Sequence, residues 1–385
     1  MKFSILLPTR NRLDLLRYAV ESVRQQDDAD WEIIISDNAS SEDVAGFIAS
    51  LRDERIRYFR TGRLVPVTDN WNFSLERSSG DYVIMLGDDD GLMRGCLATA
   101  RRLIADWHTP EAIYTQATQF AYPGVIPGEI DAFTQVAYNE FLLGKDQPFL
   151  LSKNMAVRMV HSAMNFRLCF GFNMQHFIIS RTLINRLADK GAFFQSPYPD
   201  YYAANVVLLA ASSIVANPAP LVMIGISAKS FGYYYFNKRE SEGVDFLQNA
   251  DASSLPEHLR GAAVPGSNMN DSWLVAMDTI VRNFPEVPAL RINFQRYRLL
   301  QFYAIWRARS WRGLSLLLQS MRIWEIVLYA PVVLVYAAAC ALPRRLRRVL
   351  QEAVHFTFNA SPRFDVQKNT VPYRNLLEAV SRRDD

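Results

Sequence analysis

Apolar positions along the amino-terminal third of the chain follow two alternating rhythms. Phe3 to Pro8 is an unbroken apolar run of strand length, whereas Leu13, Leu16, Ala19, Val20 and Val23 return at the three- and four-residue spacing of a helix face. "WEIIIS", Trp31 to Ser36, is again rich in β-branched residues, so the opening predicts a βαβ unit. "SEDVAGFIASL" begins at Ser41 with a hydroxyl to cap a short helix and the acids Glu42 and Asp43 in its first turn. "RIRYF", Arg55 to Phe59, predicts a third strand; a helix capped by Thr68 or Asp69 then runs to about Arg77, and Gly80 breaks it. "DYVIML" is the fourth strand, with "GCLATARRLIADW" helical after it. This alternation predicts a Rossmann-like, mostly parallel α/β sheet with helices on both faces. Ligands collect at the carboxyl ends of the strands in such sheets, and "PTRNR", "SDNAS" and "GDDDG" all fall there.

Composition narrows the picture. The chain has 385 residues, 50% of them hydrophobic, enough for one large domain or two ordinary ones, so disorder is excluded as a default. A formal charge of +3 gives no global electrostatic case for nucleic acid. Cys96, Cys169 and Cys340 lie far apart without CxxC spacing, which argues against a disulfide framework or structural zinc and fits a reducing compartment. The apolar run of "MKFSILLPTRNR" is too short for a signal peptide.

Candidate chemistry centres on Asp88, Asp89 and Asp90. Adjacent carboxylates repel one another, and the repulsion becomes useful when a hard divalent cation such as Mg2+ sits among them and helps to bind substrate phosphates. Thr9, Arg10, Asp37 and Asn38 add donors and acceptors suited to a base and ribose. The bland readings are a solvated turn for the triplet and an Asx turn for "SDNAS".

Taken in order, "SILLPTRNR", "WEIIISDNASSED" and "TDNWNFSLERSSGDYVIMLGDDD" resemble the nucleotide-diphospho-sugar glycosyltransferases of the family 2 type, with the GT-A fold. The resemblance is clear over about the first 115 residues and looser to about 235. It implies that Thr9, Arg10, Asp37 and Asn38 bind the nucleoside, with Asn70 nearby, and that Asp88, Asp89 and Asp90 hold Mn2+ or Mg2+ on the donor diphosphate. Gly87 stands where many members carry the first acid of an Asp-x-Asp-Asp run. The triplet has a rival reading in the Asp-x-Asp-Gly-Thr signature of haloacid-dehalogenase-like phosphatases, with Asp88 as nucleophile and Asp90 as acid/base. Leu92 replaces the Thr of that signature, and three strands precede a motif that should end the first.

Transfer to a hydroxyl needs a base as well. "QSPYPDYYAANVVLLA" places Asp200 at a helix start behind Pro197 and Pro199; an N-cap is the structural alternative, and the resemblance implies the base. No Gln-x-x-Arg-Trp motif follows, which argues for single additions rather than polymer synthesis. His161 and His176 read as structural residues. Arg158, Arg167 and Arg181 are within possible reach of a diphosphate, and "FGYYYFNKRE" reads as core packing before sugar stacking.

Beyond about residue 240 the chain predicts a loop and helical extension (241–322), a hydrophobic and basic membrane-association segment (323–350) and a tail (351–385), after a glycosyltransferase domain divided into a nucleotide-sugar half (1–115) and an acceptor half (116–240). Ile326 to Leu342 holds 17 residues without a charge, short of the roughly 20 a span needs, with Arg322 before it and Arg344, Arg345, Arg347 and Arg348 after it. Charge on both sides leaves orientation open and favours a monotopic anchor over a span, with a buried helix as the alternative. The expectations are therefore a metal-dependent, inverting glycosyltransferase at the inner face of the cell membrane, acting on a nucleotide-sugar donor and a glycan or lipid-linked acceptor, with no nucleic acid. The alternative of another class is a non-catalytic sugar-nucleotide-binding module.

Overall fold

The computed structural model describes residues 1–126, 128–230, 233–234, 255–287, 290–308, 311–341 and 369–381. The predicted alternation is present: β1 (Phe3–Thr9), α1 (Leu13–Arg24), β2 (Trp31–Asp37), α2 (Val44–Ser50), β3 (Ile56–Arg60), α3 (Val67–Glu76) and β4 (Tyr82–Met85). β1 lies between β2 and β4 and β2 pairs with β3, all parallel. The register sets Thr9 beside Asp37, so the ends of β1 and β2 finish level.

Side chains alternate faces along a strand, and the core divides accordingly. Leu6, Ile34, Val83 and Met85 enter one buried cluster, while Phe3, Ile5, Leu7, Ile33, Ile35 and Ile84 enter another on the opposite face. All of β2 is buried, which explains why it reads as a continuous apolar run rather than an alternating one.

Local chemistry differs from the expected caps. Asp43 rather than Ser41 caps α2, accepting from Gly46 N. Pro66 precedes α3, and the Thr68 hydroxyl donates to Ser196 O at 2.7 Å instead of capping.

After β5 (Gly91–Leu92) and α4 (Cys96–Asp106) come β6 (Ala112–Ala121), β7 (Phe133–Val136), β8 (Phe149–Leu150), α5 (Lys153–Met164), β9 (Phe177–Ser180), α6 (Arg181–Arg186), α7 (Pro199–Ala210) and β10 (Ile214–Ile226). The sheet is mixed: β9 runs antiparallel to β4 and β6, while β10 is parallel to β6. Its parallel half carries the carboxyl-end rim.

The carboxyl-terminal region is helical: α8 (Glu257–Arg260), α9 (Asn268–Asn283), α10 (Phe294–Ala308), α11 (Trp311–Ser320) and α12 (Ile323–Ala341). Helix α9 packs on α7, α10 on α9 and α12 on α10. Leu274, Ile280, Tyr297 and Val333 share one core cluster with Val207 and Ile179, so 255–341 extends the main core rather than forming a separate unit. In the tail, the two-residue strand β11 (Asn369–Thr370) pairs with β7, and the short helix α13 (Leu376–Ser381) packs against α1 and β5. Among the described residues no helix is long and apolar enough to cross a membrane. Arg344 to Arg348, the loop 241–254, residues 351–368 and most of "FGYYYFNKRE" lie outside the described residues.

Candidate functional site

The rim is assembled from the ends of β1, β2, β4 and β10 and from a 3₁₀ turn, Met174–His176, just before β9. At the end of β4 the chain bends back on itself. Gly87 N donates to Asp90 Oδ2 at 2.9 Å, and a Cβ at Gly87 would collide with that carboxylate, which gives this position a steric reason to lack a side chain.

The three acids have different surroundings, although all are buried. Asp88 accepts from Thr9 Oγ1 and Arg12 Nη1, both at 2.8 Å. Asp89 Oδ2 accepts from Ser227 Oγ at 2.9 Å, and its other oxygen accepts from no other side chain among the described residues. Asp90 accepts from Gly87 N, from Gly225 N at 2.8 Å and from Gln175 Nε2 at 2.6 Å. Burial pushes the Asp89 and Asp90 carboxyls above the usual range, although Arg12 pulls Asp89 back and the Gly225 and Gly87 amides pull Asp90 back. Burial alone would lower the Arg12 guanidinium, but the charges of Asp88, Asp89 and Asp90 hold it above its ordinary value.

Arg12 was missed by sequence reasoning, which chose Arg10. Arg12 is buried and also donates to Lys229 O, whereas Arg10 is half-buried and takes no side-chain partner among the described residues. The available signal was Arg12's place just before α1, where the chain turns back toward the end of β4.

A divalent cation can be tested against this donor set. Three carboxylates face one guanidinium, so the cluster is rich in anionic oxygen as a hard cation requires. Among the described residues, no group of three or more His, Cys, Asp or Glu side chains converges as a cage. All three acids stay candidate ligands: donors engage both oxygens of Asp88 and both of Asp90, and Asp89 keeps one oxygen that takes no side-chain donor among the described residues. The residues fit a cation that takes its remaining ligands from substrate phosphates.

The nucleoside candidates are braced. Asp37 accepts from Ser40 N at 2.9 Å and Tyr58 OH at 2.7 Å, with Arg60 Nη1 at 3.5 Å. Asn38 donates to Val65 O at 2.8 Å and accepts from Val65 N at 3.0 Å, fixing the loop after β3. Asn70, expected near the nucleoside, has its amide bonded to the Ser36 hydroxyl and to Ser36 O, which ties α3 to β2.

Asp200 lies in the first turn of α7 and is not its cap, because Tyr198 precedes the helix and Pro199 occupies its first position. Asp200 Oδ1 accepts from Met174 N at 2.8 Å. The next residue, Gln175, holds Asp90, so successive residues of one turn grip the triplet and the candidate base. Burial pushes Asp200 up to about 7, with the Met174 amide pulling the other way. The residue as a whole is half-buried. His176 is structural, as expected: its Nδ1 lies 2.8 Å from Thr115 O, its ring stacks on Tyr114, and burial lowers it to about 4.

Comparison with known proteins gives a consistent result. Residues 4–169 match the family model Glycosyl transferase family 2. A GalNAc(5)-diNAcBac-PP-undecaprenol beta-1,3-glucosyltransferase of Campylobacter jejuni is 41% identical over 101 residues, 26% of this chain and 33% of that protein. A putative colanic acid biosynthesis glycosyl transferase, WcaA, of Escherichia coli is 30% identical over 129 residues, 33% of this chain and 44% of its own length. The alignments thus span less than half of either relative. The crystal structure of S. aureus TarS 1-349 in complex with UDP-GlcNAc is a looser likeness, 16% identical with a TM-score of 0.49 over 81% of this chain and 89% of that one.

Proposed function

We propose, from the premise that this chain carries a glycosyltransferase family 2 domain, that it transfers a sugar from a nucleotide-diphosphate donor to an acceptor hydroxyl by a single inverting displacement. The observation that carries the reading is Asp200, the carboxyl of a half-buried residue, pushed up to about 7 and tied through one turn to the acidic triplet. A carboxyl in that range can accept a proton near neutral pH.

In the proposed step the acceptor oxygen bonds to the anomeric carbon while the bond to the diphosphate oxygen breaks. The hydroxyl proton passes to Asp200, and the nucleoside diphosphate leaves. Met174 N fixes one carboxylate oxygen of Asp200 and leaves the other for the acceptor. Asp37 and Asn38 hold the loops that would flank the nucleoside. Arg12 holds Asp88 in its orientation, and the Gly225 amide keeps Asp90 in place. Mn2+ or Mg2+ held by Asp89 and Asp88 would supply Lewis-acid stabilisation of the diphosphate as its charge develops.

The acceptor is proposed as a glycan or lipid-linked hydroxyl, a class supported by the undecaprenol-linked substrate in the name of the Campylobacter relative. Such an acceptor would bring a cytoplasmic donor to the inner face of the membrane. The phosphatase reading loses its acid/base, since Asp90 is bonded to two backbone amides and Gln175.

The test is donor binding and turnover across a panel of sugar nucleotides with Mn2+, Mg2+ or chelator. Wild type should select a donor in the presence of metal, Asp89→Ala should lose that dependence, and Asp200→Asn should bind without turnover. Binding without turnover in wild type, given a range of acceptors, would instead identify a non-catalytic binding module. Cleavage of a simple phosphate ester through Asp88 would overturn both readings.

A further inference from the structure

Helix α12 carries one charged side chain, Glu325, and its described side chains are buried along one face. Glu325, Tyr329 and Val333 form its buried face. Glu325 accepts from Arg298 Nε at 2.6 Å and Nη2 at 2.9 Å, and Tyr329 OH donates to Gln295 O at 3.1 Å, so this face is pinned to α10. The opposite face consists of Ile323, Trp324, Val327, Leu328, Pro331, Leu334, Val335 and Ala338, all exposed. Ile323 is 81% accessible, Val327 68% and Leu334 60%, values far from those of an ordinary core helix. Their spacing follows one helical stripe for roughly 22 Å, and no polar side chain interrupts it. Leu316 and Leu318 on α11 are exposed as well.

We infer that this outer face of α12 docks into the interfacial layer of an anionic lipid bilayer, with the helix lying along the surface. Charge selects lipid over a second copy of the chain. Arg322 is exposed just before the stripe, Arg312 is exposed on the preceding helix α11, and the sequence just beyond the stripe's carboxyl-terminal end reads Arg344, Arg345, Arg347 and Arg348. Two copies apposed along this face would bring like charges together, whereas anionic headgroups complement the arginines that flank it in the sequence. Trp324 stands at one end of the stripe, a residue suited to the boundary between acyl chains and headgroups. The buried Arg298–Glu325 pair explains why the helix lies flat: spanning would tear its inner face from α10 and strand both charges.

Helices α10 and α9 connect α12 to α7, whose first turn holds Asp200. The inference deepens the proposed reaction by giving a lipid-linked acceptor a surface from which to arrive, but lipid docking can be measured without donor or acceptor.

The experiment is flotation of the full chain with vesicles of phosphatidylcholine alone or mixed with phosphatidylglycerol, read beside donor binding and circular dichroism. Wild type should float with the anionic vesicles, and V327D/L334D should lose partitioning on the order of a hundredfold while keeping its spectrum and donor binding. R312E/R322E, with the apolar stripe intact, should lose the preference for anionic lipid. If wild type ignores both vesicles, the inference fails whatever the activity. A dimer in solution that V327D/L334D dissociates would assign the face to a second copy. Lipid binding without any glycosyl transfer would uphold the docking and count against the reaction.

Discussion

The two ends of the central sheet bury carboxylates in opposite ways. At the amino end Glu32 accepts from Lys2 Nζ at 2.9 Å, Ser4 Oγ at 2.7 Å, Ser79 N at 2.6 Å and Arg57 Nη1 at 3.2 Å. Burial alone would push it up, yet these donors hold it down at about 2. At the carboxyl end Asp200 has one amide donor among the described residues and rises to about 7. Burial is common to both; the cationic donors of Glu32, Lys2 and Arg57, have no counterpart at Asp200 among the described residues, and that separates a carboxylate that braces from one that can take a proton.

Substitutions can break that contrast, and the largest effect should be on turnover. Asp200→Asn keeps the shape and the Met174 hydrogen bond but removes the proton acceptor, so transfer should fall by roughly 10²–10⁴-fold while donor binding, measured by titration calorimetry, is retained. In wild type the rate should rise with pH and level off above about 7. A flat profile from pH 5 to 9 would remove Asp200 from the role.

At the other end, Glu32→Ala should cost about 3 kcal/mol in urea unfolding, because it leaves the Ser79 amide and Ser4 hydroxyl short of an acceptor near two cations. Donor affinity of the folded fraction should not change. Glu32's folded value lies below its unfolded one, so its stabilisation is present above the unfolded value of 4.5 and disappears as pH falls toward 2.

Asp200 should behave in the reverse sense. Its folded value is raised, so the ionised form strains the fold: stability is highest below the unfolded value of 3.8 and is lost as pH rises through about 7. Asp200→Asn should therefore stabilise the protein by about 2 kcal/mol at pH 8, after allowance for partial exposure, and by nothing near pH 4. A stabilising change that abolishes turnover would mark the carboxylate as kept for chemistry. The smallest effect belongs to Arg57→Ala, an exposed partner of Glu32, at less than about 1 kcal/mol and weaker still in high salt.

Much of the rim was legible because the parallel half of the sheet is local. Each strand and the helix after it lie adjacent in the chain, so β1 to β4 and the clusters at Thr9, Asp37 and Asp88 follow from periodicity alone. The partners of the triplet did not. Gly225 and Ser227 come from the end of β10, and Gln175 from a short turn before an antiparallel strand. Return strands set such pairings over long separations, and no local pattern announces them. Gly225 shows the difficulty: a Cβ there would collide with Asp89 O, a requirement visible only once the two backbones are side by side. Arg12 and Arg10 are nearly adjacent, and the backbone turn into α1, rather than residue type, decides which one meets Asp88.

The closing of α13 onto α1 gives the molecule an order in time. Leu376 and Val380 lie where a Cβ on Gly91 would reach them, and Ser381 Oγ donates to Gln25 Oε1 across 356 residues. At ribosomal elongation rates of about 5–20 residues per second, α1 waits roughly 20–70 s for this neighbour. Strands β1 to β4 leave the ribosome well before α13, and the wall behind β5 arrives after α12 has been synthesised. A nascent chain would thus carry its apolar docking helix before its sheet is sealed, and a lipid surface within reach could engage that helix before the enzyme is complete.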